Sequence, residues 1–153
     1  MTKFSYTGAF FLTFMVFFNS LNGQIWFKLD MLEDGETYQV SLISDVTWSL
    51  PNNITSTGQI TIKAPTLELE LTDFQSLNPN LNWQYNSRYN SPSESNDFDY
   101  FSFGLESSNR NFEYEAGEEI PLISFKNANG CADFVSLLAV SYTHLTLPTI
   151  LLV

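Results

Sequence analysis

The stretch that decides the fold is residues 58–71, GQITIKAPTLELEL, in which apolar and polar side chains alternate. Isoleucines alternate first with threonine and lysine, and leucines then alternate with glutamates. A period of two sends successive side chains to opposite faces of a β-strand, so one face can pack on a core while the other stays in water. The stretch therefore predicts two strands, and the leucine–glutamate repeat from Thr66 to Leu71 gives the clearer pattern.

The same period recurs on both sides of this stretch. It is plain from Ile25 to Met31, from Tyr38 to Leu42 and from Phe101 to Leu105. Shorter apolar runs show this period of two or an approximate form of it, and they are Val46–Trp48, Trp83–Tyr85, Phe112–Tyr114, Ile120–Leu122 and Phe134–Leu138. Turn-forming residues, such as those of Asn78-Pro79-Asn80, separate the runs. The sequence therefore predicts an all-β fold of about eight or nine short strands, arranged as a two-sheet antiparallel β-sandwich.

Composition limits the classes of function. The chain has 153 residues, with 17 acidic against 6 basic side chains and a net charge of −11. This length favours one domain, and 44% apolar residues with 16% aromatic ones can supply a packed core. Nucleic-acid binding requires a positive face, and the sequence has no lysine or arginine cluster. We therefore expect no nucleic-acid partner.

The N-terminal residues 1–23 have the layout of a secretory signal peptide. Lys3 precedes the apolar run from Ala9 to Phe18, and a polar, small-residue segment ends at Gly23, where we expect cleavage. The apolar run is about half of the ~20 residues that a transmembrane helix needs. The sequence therefore predicts a secreted or cell-surface protein with no membrane span beyond the signal peptide.

The C-terminal residues 140–149, VSYTHLTLPT, resemble the translation of adapter DNA used in sequencing libraries. The resemblance implies that residues 140–153 are a non-native tail and that the domain, residues 24–139, is truncated. A genuine apolar last strand from Leu145 to Val153 is the alternative. The one histidine of the chain, His144, lies in this segment. The one cysteine, Cys131, implies a lost or intermolecular disulfide partner, or a buried thiol beside Phe134.

Two segments carry a family resemblance. The paired stretches Ile60–Pro65 and Leu67–Phe74, and the acidic-glycine turn and strand of Tyr114–Lys126, resemble cohesin-type and carbohydrate-binding-module-type sandwiches. With the Asn-Gly-Gln end of the signal segment, the chain is also similar to N-terminal modules of long Bacteroidetes-like surface proteins. The resemblance implies a noncatalytic, Ig-like extracellular module that acts in adhesion or domain display. Its implied partners are polysaccharide or another surface protein.

A metal site is one candidate function. Residues 85–97 lack an apolar face, which predicts a long exposed loop. At its end, Glu94, Asp97 and Asp99 bring together carboxylates of the kind that suits Ca²⁺. Calcium is thus the one cofactor that the sequence suggests, and a solvated acidic loop is the alternative.

A sugar-binding surface is the other candidate. Trp83, Tyr85 and Tyr89 offer flat aromatic faces on which pyranose rings can stack, whereas core packing is the alternative use of such rings. A calcium-stabilised carbohydrate-binding module is accordingly the second functional hypothesis.

Catalysis is not predicted. Outside the adapter-like tail there is no histidine to activate a serine or cysteine nucleophile. A glycoside hydrolase needs two carboxylates at a set separation, and no sequence pattern places two of the acids in that way. The remaining enzymatic alternative is a fragment of a carbohydrate-processing enzyme whose active residues lie downstream.

Overall fold

The computed structural model describes residues 25–92, 97–109 and 111–138, and these ranges contain eight β-strands and no helix. The strands are β1 (Ile25–Met31), β2 (Thr37–Ser44), β3 (Gln59–Pro65), β4 (Leu71–Ser76), β5 (Leu81–Tyr89), β6 (Phe98–Ser108), β7 (Glu119–Asn127) and β8 (Ser136–Leu137). They form two four-stranded sheets whose neighbouring strands are all antiparallel. The predicted all-β sandwich is confirmed.

The first sheet, sheet I, has the strand order β1-β2-β7-β4, and the second, sheet II, has the order β5-β6-β3-β8. The sheets meet at both margins, where β4 lies beside β5 and β1 lies beside β8. The long strands β2, β7, β6 and β3 are therefore central, and their inward side chains face those of the opposite sheet.

A series of aromatic rings joins the two sheets through the core. The ring of Phe103 on β6 stacks on Phe74 and Phe125 of sheet I, with centroids 5.4 and 6.1 Å apart. Phe125 in turn stacks on Tyr38 at 5.2 Å. Aliphatic side chains fill the space around these rings, among them Val40, Leu42, Ile60, Ile62, Leu69, Leu81, Leu122 and Ile123. Because almost all of this apolar surface is removed from water, it is the main source of stability.

The leucine–glutamate repeat is not a strand, so that prediction is wrong. Residues 66–68 form a turn, and Leu67 has a positive φ of 67° with 78% of its surface exposed. The Asn127 side chain accepts a hydrogen bond from the N–H of Glu70 at 2.8 Å and donates one to the carbonyl of Glu68 at 2.8 Å. These side-chain hydrogen bonds satisfy the backbone in place of a strand partner, and β4 begins only at Leu71.

Four other predicted segments also differ from the structure. Val46–Trp48 and Phe112–Tyr114 contribute only an isolated bridge between Trp48 and Tyr114. The last predicted run shortens to β8. The predicted loop from residue 85 is wrong as far as Tyr89, because these residues belong to β5.

Cys131 is exposed, and its thiol lies 2.9 Å from the carbonyl oxygen of Gly35. The buried-thiol alternative is therefore wrong. The predicted signal peptide, His144 and the adapter-like tail lie outside the described residues. Within the described ranges, no helix is long and apolar enough to cross a lipid bilayer.

A close contact at Gly58 supports the packing of Trp83 in the core. A Cβ atom at Gly58 would lie 2.8 Å from Cη2 of the Trp83 ring, and Trp83 is only 3% exposed. We expect Gly58→Ala to lower the free energy of unfolding by about 1–3 kcal/mol, since the buried ring has to shift. Chemical denaturation measures this loss. Trp83→Phe removes Cη2, so Gly58→Ala should cost clearly less in that background; equal losses in both backgrounds would contradict the contact.

Candidate ligand-binding face

The side of sheet II that faces away from sheet I is shaped by a β-bulge in β5. Trp83 and Tyr85 point inward: Trp83 belongs to the buried core, and the Tyr85 ring lies beside the core ring of Phe103. The register to β6 then shifts between Tyr85 and Ser87, so that Asn86 is an extra residue. A bulge of one residue reverses which side chains face inward. After it, Arg88 turns inward and Tyr89 turns outward.

The three aromatic residues predicted to bind sugar therefore do not share one surface. Trp83 is buried in the core, and Tyr85 lies at the margin of the sandwich with its ring 5.5 Å from that of Phe103. Burial raises the pKa of the Tyr85 phenol, an effect that the Arg88 charge opposes. Tyr89 is 64% exposed on the outer face. The structure thus separates Tyr89 from the other two rings.

Tyr89 instead lies beside a second tyrosine. In the register of sheet II, Tyr89 pairs with Tyr100 on β6, and Tyr100 pairs with Lys63 on β3. Lys63 lies between the buried Ile62 and Ala64, which fixes its outward direction. The row Tyr89–Tyr100–Lys63 therefore crosses three neighbouring strands on one face.

Polar residues continue this face toward the other end of the sheet. The next two outward rows carry only hydroxyl groups, amides and a glycine, and they are Ser87–Ser102–Thr61 and Gln84–Gly104–Gln59. A Cβ at Gly104 would lie 2.5 Å from Nδ2 of Asn86, so the glycine leaves room for the Asn86 amide to lie on this face. We call the surface formed by these three rows the outer face of sheet II.

This face carries no carboxylate in a protein with 17 acidic residues. Glu106 lies beyond Gly104, where it accepts a hydrogen bond from Asn82 at 2.6 Å, and Asp97 lies beyond the opposite end. Among the described residues, sheet II carries Glu106 and the inward-facing Asp99, and the other acids lie on sheet I or in the segments between strands. The resulting surface is locally neutral to positive.

Lys63 makes a cation–π contact on this face. Its Nζ lies 3.7 Å from the ring centroid of Phe98, the residue two positions before Tyr100. Such a contact holds the ammonium in place with about 0.5–1 kcal/mol at an exposed site. Three aromatic rings and one fixed positive charge thus lie together at the same end of the face.

A charged cluster lies on the inner side of the same hairpin. Asp99 is 1% exposed, and its Oδ2 lies 2.8 Å from Nη2 of Arg88. Its carboxylate also accepts hydrogen bonds from the N–H of Ser91 at 2.9 Å and of Leu67 at 3.3 Å. Burial acts to raise the pKa of Asp99, but the Arg88 guanidinium and these N–H groups outweigh it and hold the pKa below its ordinary value.

The structure places the predicted calcium ligands as follows. Asp99 is engaged by Arg88, Ser91 and Leu67, and Asp97 is exposed. Glu94 lies outside the described residues. In the described ranges, no three His, Cys, Asp or Glu side chains lie close enough together to hold a metal ion. The calcium site remains a prediction.

Sequence reasoning missed Lys63, Phe98 and Arg88 as members of these clusters. The outward direction of Lys63 is readable from the alternation Ile62-Lys63-Ala64, and that of Phe98 from its spacing to Tyr100. The ion pair between Arg88 and Asp99 is not readable in this way, because it joins two strands through the bulge.

Comparisons with known proteins identify no relative of this chain. No protein-family model, no curated protein and no solved structure matches this chain. The resemblance to cohesin-type and carbohydrate-binding-module-type sandwiches therefore remains a prediction.

Proposed function

We propose that this chain is a noncatalytic β-sandwich module of a secreted or surface-displayed bacterial protein, acting in adhesion, and that it binds through the outer face of sheet II. The observation that carries the proposal is the carboxylate-free face with its row Tyr89–Tyr100–Lys63. The signal-peptide pattern of residues 1–23 supports the location. The nature of the side chains supports binding, since tyrosine, glutamine, serine and threonine recognise a ligand by stacking and hydrogen bonding.

A carbohydrate is the ligand that this face fits best. Tyrosine offers an apolar ring to the faces of a pyranose and a hydroxyl to its polar edge. The adjacent amides of Gln84 and Gln59 and the hydroxyls of Thr61 and the serines can exchange hydrogen bonds with sugar hydroxyl groups. Neighbouring strands are ~4.8 Å apart, so the row from Tyr89 to Lys63 extends over about 10 Å and suits an extended chain.

The test is a glycan array followed by titration calorimetry on the full chain and its variants. Tyr89→Ala and Tyr100→Ala should each weaken binding about five- to tenfold, because each removes one stacked ring. Trp26→Ala is the matched control, since Trp26 is 48% exposed on β1, the edge strand of the opposite sheet. We expect no change in affinity for that variant, and thermal melting shows whether each variant is folded.

Two results would contradict the proposal. If Trp26→Ala weakened binding as much as the two tyrosine variants, the ligand would bind elsewhere. Cleavage of any bound sugar by the purified chain would exclude a noncatalytic module.

A further inference from the structure

Lys63 differs from the other cationic residues that the structure describes. Lys28 pairs with Asp30 and Glu119, Lys126 pairs with Glu36, and Arg88 pairs with Glu70 and Asp99. No carboxylate of the described ranges lies within 4.0 Å of the Lys63 ammonium, whose contact there is the Phe98 ring. Among the described residues, Lys63 is therefore the cationic side chain without a carboxylate partner, in a chain that has 17 acids and 6 bases.

The geometry leaves the Lys63 ammonium able to bind an anion. An ammonium has three N–H donors, and a ring on one side engages only part of them. The Phe98 contact also restricts a side chain that otherwise has much rotamer freedom, so less entropy is lost when an anion binds. Lys63 is therefore a fixed donor at the end of the tyrosine row.

We infer that the ligand of the outer face of sheet II is a polysaccharide containing uronic acids, whose carboxylate pairs with Lys63 while its pyranose rings stack on Tyr100 and Tyr89. This inference rests on the proposed carbohydrate-binding function. The tyrosines account for affinity toward sugar rings in general, and Lys63 distinguishes an acidic sugar from its neutral counterpart.

The net negative charge of the protein favours a carboxylated polysaccharide over a densely sulfated one as the ligand. With a net charge of −11, the protein repels polyanions at long range. Salt screens that repulsion beyond a Debye length of ~8 Å, but the pair at Lys63 is a direct contact and persists. One ammonium on a carboxylate-free face can pair with one carboxylate at a time, which suits a polysaccharide with one carboxylate per acidic sugar better than a densely sulfated one.

The experiment compares each of two uronates, polygalacturonate and alginate, with its own methyl ester. The ester keeps the sugar backbone and removes the charge, and a chelator excludes calcium-bridged gels. The full chain should bind at least one uronate about three- to tenfold tighter than its ester at moderate salt, the range expected of a partly exposed, charge-assisted pair. Lys63→Gln should bind acid and ester equally, and Lys63→Arg should keep the preference.

Lys126→Gln is the control, because Lys126 lies on β7 of sheet I and already pairs with Glu36. It should keep the full preference for the acid. If the chain bound acid and ester equally, or preferred dextran sulfate, the inference would fail while carbohydrate binding stood. If it bound no sugar polymer at all, the proposed function itself would fail.

Discussion

Replacing Phe103 with alanine should lower the free energy of unfolding by about 3–5 kcal/mol, the range for deleting a buried aromatic ring. Phe103 is fully buried on β6 and contacts three rings, those of Phe74, Phe125 and Tyr85. Two of these belong to the opposite sheet, so the substitution opens a cavity at the point where the sheets meet. Since typical domains are stable by only 5–15 kcal/mol, the variant should lose much of its cooperative transition.

Phe134→Ala is the matched control for this experiment. It deletes the same side chain at a position that is 82% exposed, and it should change stability by no more than about 0.5 kcal/mol. Urea denaturation followed by tryptophan fluorescence measures both variants. Similar losses at the two positions would mean that the ring series through Phe103 is not the centre of the core.

The central strands were predictable because their alternation is decided by burial. In β6, the inward residues Phe101 and Phe103 alternate with Tyr100 and Ser102, and the structure buries the first pair and not the second. Tertiary packing and local pattern agree there. Such agreement is typical of strands with one face on a core and the other in water.

The leucine–glutamate repeat failed for a reason that no local pattern contains. Its alternation is stronger than that of β6, yet the buried side chains of Asn127 and Asp99 bind the backbone of residues 67–70. Both partners are distant along the chain. A turn with long-range side-chain support can replace a strand whenever it satisfies the same backbone groups.

The candidate site was only partly predictable because of the bulge at Asn86. In a regular strand Trp83, Tyr85 and Tyr89 would all face the same side, since their positions differ by even numbers. The extra residue reverses that relation after Tyr85. Tyr89 thereby leaves the side of the core and joins Tyr100 and Lys63, a combination that becomes visible only from the register of the sheet.

Removing the buried carboxylate of Asp99 should be as costly as removing a core ring. In Asp99→Ala, Arg88 loses its closer partner, and the N–H groups of Ser91 and Leu67 lose their acceptor. Breaking a buried pair from one side costs about 3–5 kcal/mol, because the remaining groups stay desolvated. Glu70→Gln is the control, since Glu70 contacts the same Arg88 with a 59% exposed side chain and should cost at most about 1 kcal/mol.

The pH dependence of stability separates the charge of Asp99 from its packing. The folded-state pKa of Asp99 lies below the value of 3.8 expected in the unfolded chain, so the unfolded state takes up the proton first as pH falls. The stabilisation is therefore complete above pH 3.8 and is lost as pH falls through the folded-state pKa. Asp99→Asn keeps the shape of the side chain and cannot titrate, so the stability difference between wild type and this variant should be constant near neutrality and should shrink below pH 3.8. Denaturation curves at a series of pH values measure this difference in the free energy of unfolding. If the difference stayed constant down to pH 2, the Asp99 carboxylate would contribute shape and hydrogen bonds but no charge interaction with Arg88.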